Sequence, residues 1–512
     1  MMLSLLIAVP IIGALVVALL PRTSDGRTAK YVAVGVSILT LVMSLFLLRQ
    51  YDLDQGGYQL VEKHEWIGAL GVQWALGVNG IGLTMIFLTT VLTPIVLVAS
   101  WTDKDDQPER IGTYFAWMLA LEGLAIGVFA AMDVFVFYVL FEATLIPIYF
   151  LIGAHGTGNR SYAAVKFLVY NLVGGLLMLA SVVGLYVLSG RQDGPSFLIT
   201  DLVNLQMSDT TERLLFLGFF LAFAVKAPLW PLHTWLPDAA ASATPGTSVM
   251  MVSVIDKVGT FGMITWCLTL FPGASDWAAP VILVLAVISI VYGALLAVGQ
   301  DDLRRLIALT SVSHFGFIIM GIFAFTTVSM SGSVLYMFNH GLSTAVLFLV
   351  AGMMIARRKS ARISDYGGVQ KIAPVLSGVL LVGGLSSLSL PGLAPFVSEF
   401  LVLAGTFTRS IPIAAVATLG IVLAALYILL MYQRTMTGPL NPEAAGVHDL
   451  THREVAALAP ALVLIIGLGF LPQILLQVID PAAESVVQTV GVGDPPPRAP
   501  IQLGEQHTEG EH

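Results

Sequence analysis

About 14 runs of apolar residues, each near 20 residues long, follow one another along this chain. A helix of about 20 residues rises about 30 Å, which matches the hydrocarbon core of a bilayer. The first run, LSLLIAVPIIGALVVALL, lacks a charged leading region and a small-residue cleavage site, so we expect it to be retained as a helix. With 57% hydrophobic and 11% charged residues, the 512-residue chain has the composition of an integral membrane protein.

Two of the runs are interrupted by helix-breaking residues. The seventh run, centred near residue 222, ends beside Pro228 and Pro231, and the twelfth, near residue 390, contains Pro391, Gly392 and Pro395. Paired broken helices with ionisable residues are typical of transporter sites near the midplane of the bilayer. The breaks lie five runs apart. We therefore predict an all-α polytopic membrane protein with about 14 transmembrane helices, two inverted five-helix repeats and two broken helices.

The same pattern divides the chain into five segments. We expect an N-terminal three-helix segment at 1–110, a first five-helix antiporter-like repeat at 111–272, a second inverted repeat at 273–436, a last transmembrane helix at 437–480, and a polar Pro-rich tail at 481–512. An odd number of helices in each repeat makes the second repeat start from the opposite face of the membrane.

Positive charge is distributed unevenly among the loops. The odd-numbered loops contain most of the basic residues: Arg22, Arg27, Lys30, Lys104, Arg110, Arg160, Arg304, Arg305, Arg357, Arg358, Lys359, Arg362, Lys371, Arg434 and Arg453. The even-numbered loops hold fewer, namely Arg49, Lys63, Arg191, Arg213 and Arg409. Because cytoplasmic loops are rich in Lys and Arg, we expect the odd loops in the cytoplasm and both termini on the outer side.

Several ionisable residues lie inside the apolar runs, where charge is costly. The strongest candidates for a functional role are Glu142, Lys226, Lys257, His314, His340 and Glu399. The alternative is a side chain that extends to the interface or a satisfied structural pair. Lys257 lies about ten residues, or roughly 15 Å, from either end of its run, which is beyond the reach of a lysine side chain. Lys166 and Glu122 lie closer to span ends and are weaker candidates, and we expect Asp133 to be solvated in a loop.

These residue types can carry protons. Burial raises the pKa of a carboxylic acid and lowers that of a lysine, so both can exchange protons near neutral pH, and histidine titrates there already. We expect a row of titratable sites in the order Glu142, Lys226, Lys257, His314, His340 and Glu399. The polar neighbours of the histidines, Thr310, Ser311, Ser313 and Asn339, either hold bridging water or form a packed polar network.

The sequence indicates no redox cofactor or metal site within this chain. Cys267 stands alone in an apolar run, which excludes a disulfide, a CxxC zinc site and an iron–sulfur site, and we interpret it as a packed core residue. No GxGxxG motif opens a soluble helix, and we expect the acidic end GEQHTEGEH to be solvated. We expect lipid and protons as partners, and no nucleic acid.

Six stretches carry a resemblance to a known family. They are FYVLFEATLIPIYFLIG, AVKAPLWPLHTWLPDA, DKVGTFG, QDDLRRLIALTSVSHFGFIIMG, MFNHGLSTAVLFLVAGMM and LPGLAPFVSEF, which together run from about residue 115 to 405. In combination they resemble the antiporter-like membrane subunits of respiratory NADH-quinone oxidoreductase, complex I. The resemblance implies 14 spans, an inverted pair of five-helix repeats and a proton path through the subunit.

The resemblance also assigns roles to residues. Glu142 corresponds to the carboxylate of the fifth helix, Lys226 to the lysine at the break of the seventh, and Lys257 to the lysine of the eighth. The relay histidines correspond to His314 and His340. On the twelfth helix the L- and N-type subunits usually have lysine and the M type has glutamate, so Glu399 favours the M type.

Partners and location follow from the same resemblance. It implies L-type and N-type subunits on either side in the inner (cytoplasmic) membrane, and NADH, FMN, iron–sulfur clusters and quinone bound by partner subunits. This chain would then belong to an oxidoreductase without carrying a redox centre. Two departures stand out: Ala240 and Ser242 replace a histidine and a glutamate that are common after HTWLPDA, and Arg304 replaces a common lysine.

Two alternatives remain open at this stage. One is a subunit of a multisubunit cation/proton antiporter or of a membrane-bound hydrogenase, which the residue on the twelfth helix and the neighbouring genes would distinguish. The other is a structural spacer between pumping subunits. A spacer would tolerate neutral residues at Lys226 and Lys257, and this sequence keeps both costly charges.

Overall fold

The computed structural model describes residues 1–20, 26–103, 107–192 and 194–492. Arg22 and Lys104, which contributed to the predicted orientation, lie outside these ranges, as does the predicted tail from residue 493 onward. The described part is all-α except for one two-stranded antiparallel sheet, formed by β1 (Gln59–Ile67) and β2 (Val72–Val78). This hairpin was not predicted, because it lies in a polar loop between apolar runs.

The helices of the first half carry the N-terminal segment and the first broken span. In chain order they are α1 (Met2–Leu19), α2 (Arg27–Gln50), α3 (Gly80–Ala99), α4 (Ile111–Ala130), α5 (Val134–Ala143), α6 (Leu145–Gly153), α7 (Arg160–Arg191), α8 (Ile199–Leu202), α9 (Asp209–Lys226), α10 (Trp235–Ser242) and α11 (Pro245–Val249). Short 3-10 turns lie at Gly68–Leu70, Ser100–Thr102 and Pro108–Arg110.

The second half contains the core of the bundle and the second broken span. It comprises α12 (Asp256–Gly262) between π-helical segments Met250–Ile255 and Met263–Leu268, then α13 (Pro272–Val298), α14 (Leu303–Phe323), α15 (Thr327–Arg358), α16 (Pro374–Ser387), α17 (Ala394–Arg409), α18 (Ile411–Ala417), α19 (Leu419–Met436), α20 (His452–Phe470) and α21 (Gln473–Val490). The 3-10 turns here are Ile363–Asp365, Val369–Lys371 and Pro442–Ala444.

Twelve helices in the described ranges are long and apolar enough to cross a membrane. The two remaining predicted spans are the broken ones, α9 with α10 and α16 with α17. α9 ends at Lys226, and α10 begins only at Trp235, after the two prolines. In the second break, Ser389 and Gly392 have φ angles of 59° and 93°, so the chain turns in a left-handed conformation that suits Gly392 best. The prediction of about 14 helices with two broken ones is confirmed.

Side-chain caps fix where many of these helices begin. The cap oxygen accepts a hydrogen bond from an N–H group of the first turn, which has no partner inside the helix. Such caps are Asn79, Asp133, Ser208, Thr244, Asp302, Thr326 and Thr451. Asp133 was expected to be solvated. Instead it is fully buried and binds the N–H groups of Phe135 and Val136, because it begins α5.

The loops meet in two groups, one at each end of the bundle. At the end with the odd-numbered loops, Asp238 bridges Lys166 (2.7 Å) and Arg305 (2.6 Å). At the other end, isolated β-bridges join Leu76 of the hairpin to Ala131 after α4, and Asp133 in the same loop to Leu198 after α7. This grouping agrees with a chain that crosses from one end to the other with each span.

The last helix lies across the end that carries the hairpin. α21 packs against α3 and α15, and its backbone contacts Gly56, before the hairpin, and Gly80, at the start of α3. Its buried side chains recur at helical spacing, as expected for an amphipathic helix lying on a bundle. Residue 481, the predicted start of a polar tail, therefore falls within a packed helix that continues to Val490.

A loop carboxylate holds the start of α16. Asp449 accepts hydrogen bonds from the N–H groups of Val375 (3.0 Å), Leu376 (2.8 Å) and Leu450 (2.8 Å). Burial alone would raise the pKa of the Asp449 carboxyl, but these N–H groups and nearby Arg357 hold the pKa below its ordinary value. The ionised carboxylate therefore stabilises the first half of the second broken span.

We expect Asp449→Ala to lower the free energy of unfolding by about 1 kcal/mol at neutral pH, as for loss of a helix cap. Because the pKa is lower in the folded state, this contribution is present above the unfolded pKa of about 3.9 and disappears as the pH falls through the folded value. Thermal unfolding of the purified assembly at pH 7 and at lower pH measures it. Asp54→Ala, on the exposed loop before β1, is the control. A destabilisation independent of pH would contradict the prediction.

Candidate functional site

Three spans at the centre of the molecule are completely buried over their apolar windows. They are the span formed by α11, α12 and the π-helical segments, and the spans α14 and α15. These spans carry Lys257, His314 and His340, which are 0%, 4% and 1% exposed. A charge in such a position costs free energy unless other polar groups compensate for it. The site is therefore built from groups that share protons and hydrogen bonds with one another.

Lys226 is the last residue of α9 and is fully buried. Its Nζ donates a hydrogen bond to Thr144 Oγ1 at 3.3 Å and lies 4.7 Å from the centre of the Phe141 ring. The C-terminal end of a helix carries partial negative charge, which favours a cation. At the end of α9 the ammonium group is therefore stabilised by a hydroxyl group and an aromatic face.

Glu142 lies one residue before the end of α5, where the fifth span is interrupted at Thr144. Its side chain is half-buried, and its carboxylate packs so closely on α7 that a Cβ at Gly175 would clash with it. Glu142 and Lys226 interact electrostatically without an ion pair shorter than 4 Å. Thr144, which binds Lys226 directly, lies two residues after Glu142 in the chain. Both charged residues were candidates from the sequence, whereas the role of Thr144 was missed.

Lys257 contacts a histidine of α15 directly. Its Nζ lies 2.6 Å from His340 Nδ1 and donates to the carbonyl of Val252 at 2.9 Å. Val252 belongs to the π-helical segment before α12, and π-helical turns are frequent at functional sites. The Phe315 ring covers the ammonium group, with its centre 4.7 Å from Nζ. The lysine and the histidine are therefore within direct proton-transfer distance.

The two histidines face each other, with ring centres 5.2 Å apart. His340 Nε2 lies 3.1 Å from Thr344 Oγ1, and His314 Nε2 lies 3.4 Å from the hydroxyl of Tyr427. Lys257 thus contacts His340 directly, and His314 follows it. This reverses the expected order of the two histidines, because chain order says nothing about which of two packed helices lies nearer to a third.

Glu399 forms the far end of the row. The hydroxyl of Tyr336 donates to Glu399 Oε2 at 2.8 Å, and the hydroxyl of Ser389 also donates to this carboxylate. Tyr336 lies one turn before His340 on α15, and its ring centre is 5.9 Å from that of His314. Sequence reasoning missed both hydroxyl groups. The signal for Tyr336 was its spacing of four residues from His340, which places both on one helix face.

Two weaker sequence candidates differ in their contacts. Lys166 is paired with Asp238 near the odd-loop end. Glu122 lies near the middle of α4 rather than near its end, is fully buried, and neither of its carboxylate oxygens has a hydrogen-bond partner among the described residues. The polar neighbours of the histidines bond to carbonyl groups: Thr310 and Ser311 to Ile307, Ser313 to Ile290, and Asn339 to Ala394. These bonds favour a packed polar network. Cys267 is buried, and the described residues contain no group of three or more metal-ligating side chains.

One buried carboxylate was not predicted, although it stands in the motif DKVGTFG. Asp256 is fully buried beside Lys257, and neither of its carboxylate oxygens has a hydrogen-bond partner among the described residues. Asp256 interacts electrostatically with both Lys226 and Lys257. Lys257 was a candidate because it lies far from both ends of its apolar run. Asp256 is the preceding residue, so the same argument applies to it.

The chain is similar to known proteins over most of its length. Residues 131–424 match the family described as NADH:quinone oxidoreductase/Mrp antiporter, TM. NADH-quinone oxidoreductase subunit M of Mycobacterium tuberculosis is 48% identical over 547 residues, covering 100% of this chain and 99% of the relative. The subunit M of Rhodobacter capsulatus is 36% identical over 499 residues, covering 95% of this chain and 96% of the relative.

Solved structures show the same fold. A chain in respiratory complex I from Thermus thermophilus superposes with a TM-score of 0.87 at 30% identity, covering 96% of this chain and 100% of that chain. A chain of the Mrp complex from a Dietzia species has a TM-score of 0.84 at 21% identity, covering 95% of this chain and 98% of that chain, which indicates a shared fold. The chain is a multi-pass membrane protein that belongs to the NADH:quinone oxidoreductase/Mrp antiporter family.

Proposed function

We propose that this chain is an M-type membrane subunit of a proton-translocating NADH-quinone oxidoreductase and that protons pass through it between Glu142 and Glu399. The observation that carries the proposal is the 2.6 Å contact between Lys257 Nζ and His340 Nδ1 in the completely buried centre. Relatives named NADH-quinone oxidoreductase subunit M, which match this chain over 95% or more of its length, support the assignment.

The geometry supports a stepwise transfer. When Glu142 is ionised it attracts positive charge to Lys226, and when it takes up a proton that attraction is lost, so the lysine can release its own proton inward. Further along, the ammonium of Lys257 donates to the unprotonated Nδ1 of His340. From His340 the row continues through His314 and Tyr336 to Glu399. Each step changes the charge of the donor and of the acceptor, which changes the proton affinity of the next group.

The energy comes from outside this chain in the proposed assembly. NADH, FMN, iron–sulfur clusters and quinone are bound by partner subunits, and L-type and N-type subunits flank this one in the inner membrane. The termini face outward, which the basic residues at the odd-loop end support. Exposed apolar residues along α7 and α13 supply surfaces for lipid and neighbouring subunits, among them Val173, Leu176, Val281 and Leu295.

The proposal is tested by Lys226→Ala in membranes that contain the whole complex. We expect the NADH-driven rate of proton uptake to fall about a hundredfold, the lower end of the range for removal of a positioned acid–base group. Quinone reduction with NADH should fall with it if the two are coupled. Both rates are measured side by side, with Lys63→Ala on exposed β1 as control. If both stay normal in an assembled complex, Lys226 is structural and the proposed path is wrong.

A cation/proton antiporter is the second candidate, because an Mrp chain shares the fold. The same membranes distinguish the two. Proton uptake that requires NADH oxidation and persists when sodium is replaced by choline supports the oxidoreductase subunit. Proton movement that follows an imposed sodium gradient without NADH would support the antiporter.

A further inference from the structure

Asp256 is a buried carboxylate that the path from Glu142 to Glu399 does not use. It is fully buried, and both Oδ1 and Oδ2 lack a hydrogen-bond partner among the described residues. An unpartnered ionised carboxylate in a membrane protein core is costly, and such residues mark ion or proton pathways. Packing alone would be served by a neutral residue of the same size, so the carboxyl group needs an explanation.

The helix geometry places Asp256 on the side of α12 that faces the broken seventh span. Gly259 lies three residues later on the same helix face. A Cβ at Gly259 would lie 2.6 Å from the backbone nitrogen of Ala227 and 2.7 Å from the carbonyl oxygen of Phe223. The face shared by Asp256 and Gly259 is therefore pressed against the end of α9, which is Lys226.

Lys257 points in a different direction from its neighbour. Successive residues on an α-helix are rotated by about 100°, so Asp256 and Lys257 project from different sides of α12. Lys257 contacts His340 on α15, whereas Asp256 lies on the side toward Lys226. Electrostatic interaction joins Asp256 to both lysines. The aspartate therefore occupies the interval between the two cationic groups of the row.

We propose that Asp256 is a proton-holding site that passes protons between Lys226 and Lys257. In the first step an N–H bond of the Lys226 ammonium breaks and an O–H bond forms on Asp256, which leaves both groups neutral. In the second step that proton moves to the neutral amine of Lys257, which restores the carboxylate and leaves Lys257 charged. No proton or charge is gained or lost over the two steps.

The carboxylate also limits the cost of placing two lysines in one buried region. Two ammonium groups repel each other strongly where the effective dielectric constant is low. A carboxylate between them offsets one positive charge, and transfer of the proton through it moves that positive charge along the row. Neither lysine hydrogen-bonds directly to Asp256 in the described structure, so each transfer requires a bridging water or rotation of a lysine side chain.

The test uses two substitutions in the whole complex. Asp256→Asn keeps the size and removes the titrating group, and Asp256→Glu keeps the titrating group and adds a methylene. We expect Asp256→Asn to reduce NADH-driven proton uptake about tenfold, since removal of an acid–base group slows transfer while both lysines remain. Asp256→Glu should retain most of the rate. A purely packing role predicts the opposite order, with the Asn variant active and the Glu variant impaired.

The inference rests on the proposed function, and the outcomes separate the two. If Lys226→Ala lowers proton uptake and Asp256→Asn leaves it unchanged, the proton-holding role of Asp256 is overturned and the path stands. If neither variant changes it, the path itself fails. Asp54→Asn is the matched control, and the amount of assembled complex is measured for each variant. If neither the Asp256→Asn nor the Asp256→Glu complex assembles in the membrane, Asp256 is required for folding and the inference is overturned.

Discussion

Replacement of Lys257 by methionine is expected to reduce NADH-driven proton uptake at least about a hundredfold, the range for removal of a positioned acid–base group. Among the described residues, Lys257 makes the hydrogen bond that joins His340 to the first half of the row. It lies in a completely buried span, so no bulk water is near to replace it. The effect is therefore expected to be at least as large as at Lys226.

The same substitution is not expected to unfold the protein. Methionine is close to lysine in length and fits an apolar core, and replacement of a buried charge by an apolar group of similar volume is often neutral or stabilising. The thermal unfolding temperature of the purified complex should stay the same or rise while proton uptake is lost. Lys371→Met, at an exposed position, is the control. Proton uptake above half of the control rate in an assembled Lys257→Met complex would show that protons bypass this lysine.

Gly259→Val is expected to remove assembled complex from the membrane. The substituted Cβ would lie within 2.8 Å of three atoms of α9 and Ala227, two of which belong to the backbone and cannot rotate away. Overpacking of a close contact costs about 1–3 kcal/mol and more where backbone has to move, which is a large part of a typical folding free energy. The displaced helix carries Lys257, so any residual complex should also pump poorly.

A matched control exists for this second substitution. Gly35 lies in α2, and a Cβ added there would have no heavy atom within 4 Å, so Gly35→Val introduces the same side chain into open space. Immunoblots of solubilised membranes and thermal unfolding compare the two variants. We expect normal assembly for Gly35→Val. Equal assembly of both variants would mean that α9 and α12 can separate without cost. The close packing around Lys226 would then not be needed for assembly.

Depth along the apolar runs made the main features predictable from the sequence. Lys257 is too deep to reach the interface, and this argument alone placed it in the site. The positions of the prolines predicted both broken helices, because a proline lacks the backbone N–H group that the interior of a helix requires. The structure brings Lys257, His340 and His314 together. The role of the six candidate residues in proton transfer stays a prediction. The division into two inverted five-helix repeats likewise stays a prediction.

Tertiary contacts account for what the sequence did not show. The order His340 before His314 depends on how α14 and α15 pack beside α12. The spacing of residues in the sequence does not show which of these two helices lies nearer to Lys257. Only tertiary packing brings the hydroxyl groups of Tyr336 and Ser389 to Glu399. Asp256 is a different case. It adjoins Lys257 and lies about as far from the ends of the apolar run, so its burial was predictable.

The completely buried central spans have a consequence for how this protein enters the membrane. A charged residue at the middle of a lone helix costs about 2.5–3.5 kcal/mol during insertion. The span of α12 holds both Asp256 and Lys257. Its insertion as a single helix in contact with lipid is therefore unfavourable unless the two side chains neutralise each other. The surrounding helices must shield it while the chain is being made. Early synthesis of α3 and α4, which pack on this span, therefore serves biogenesis as well as the finished fold.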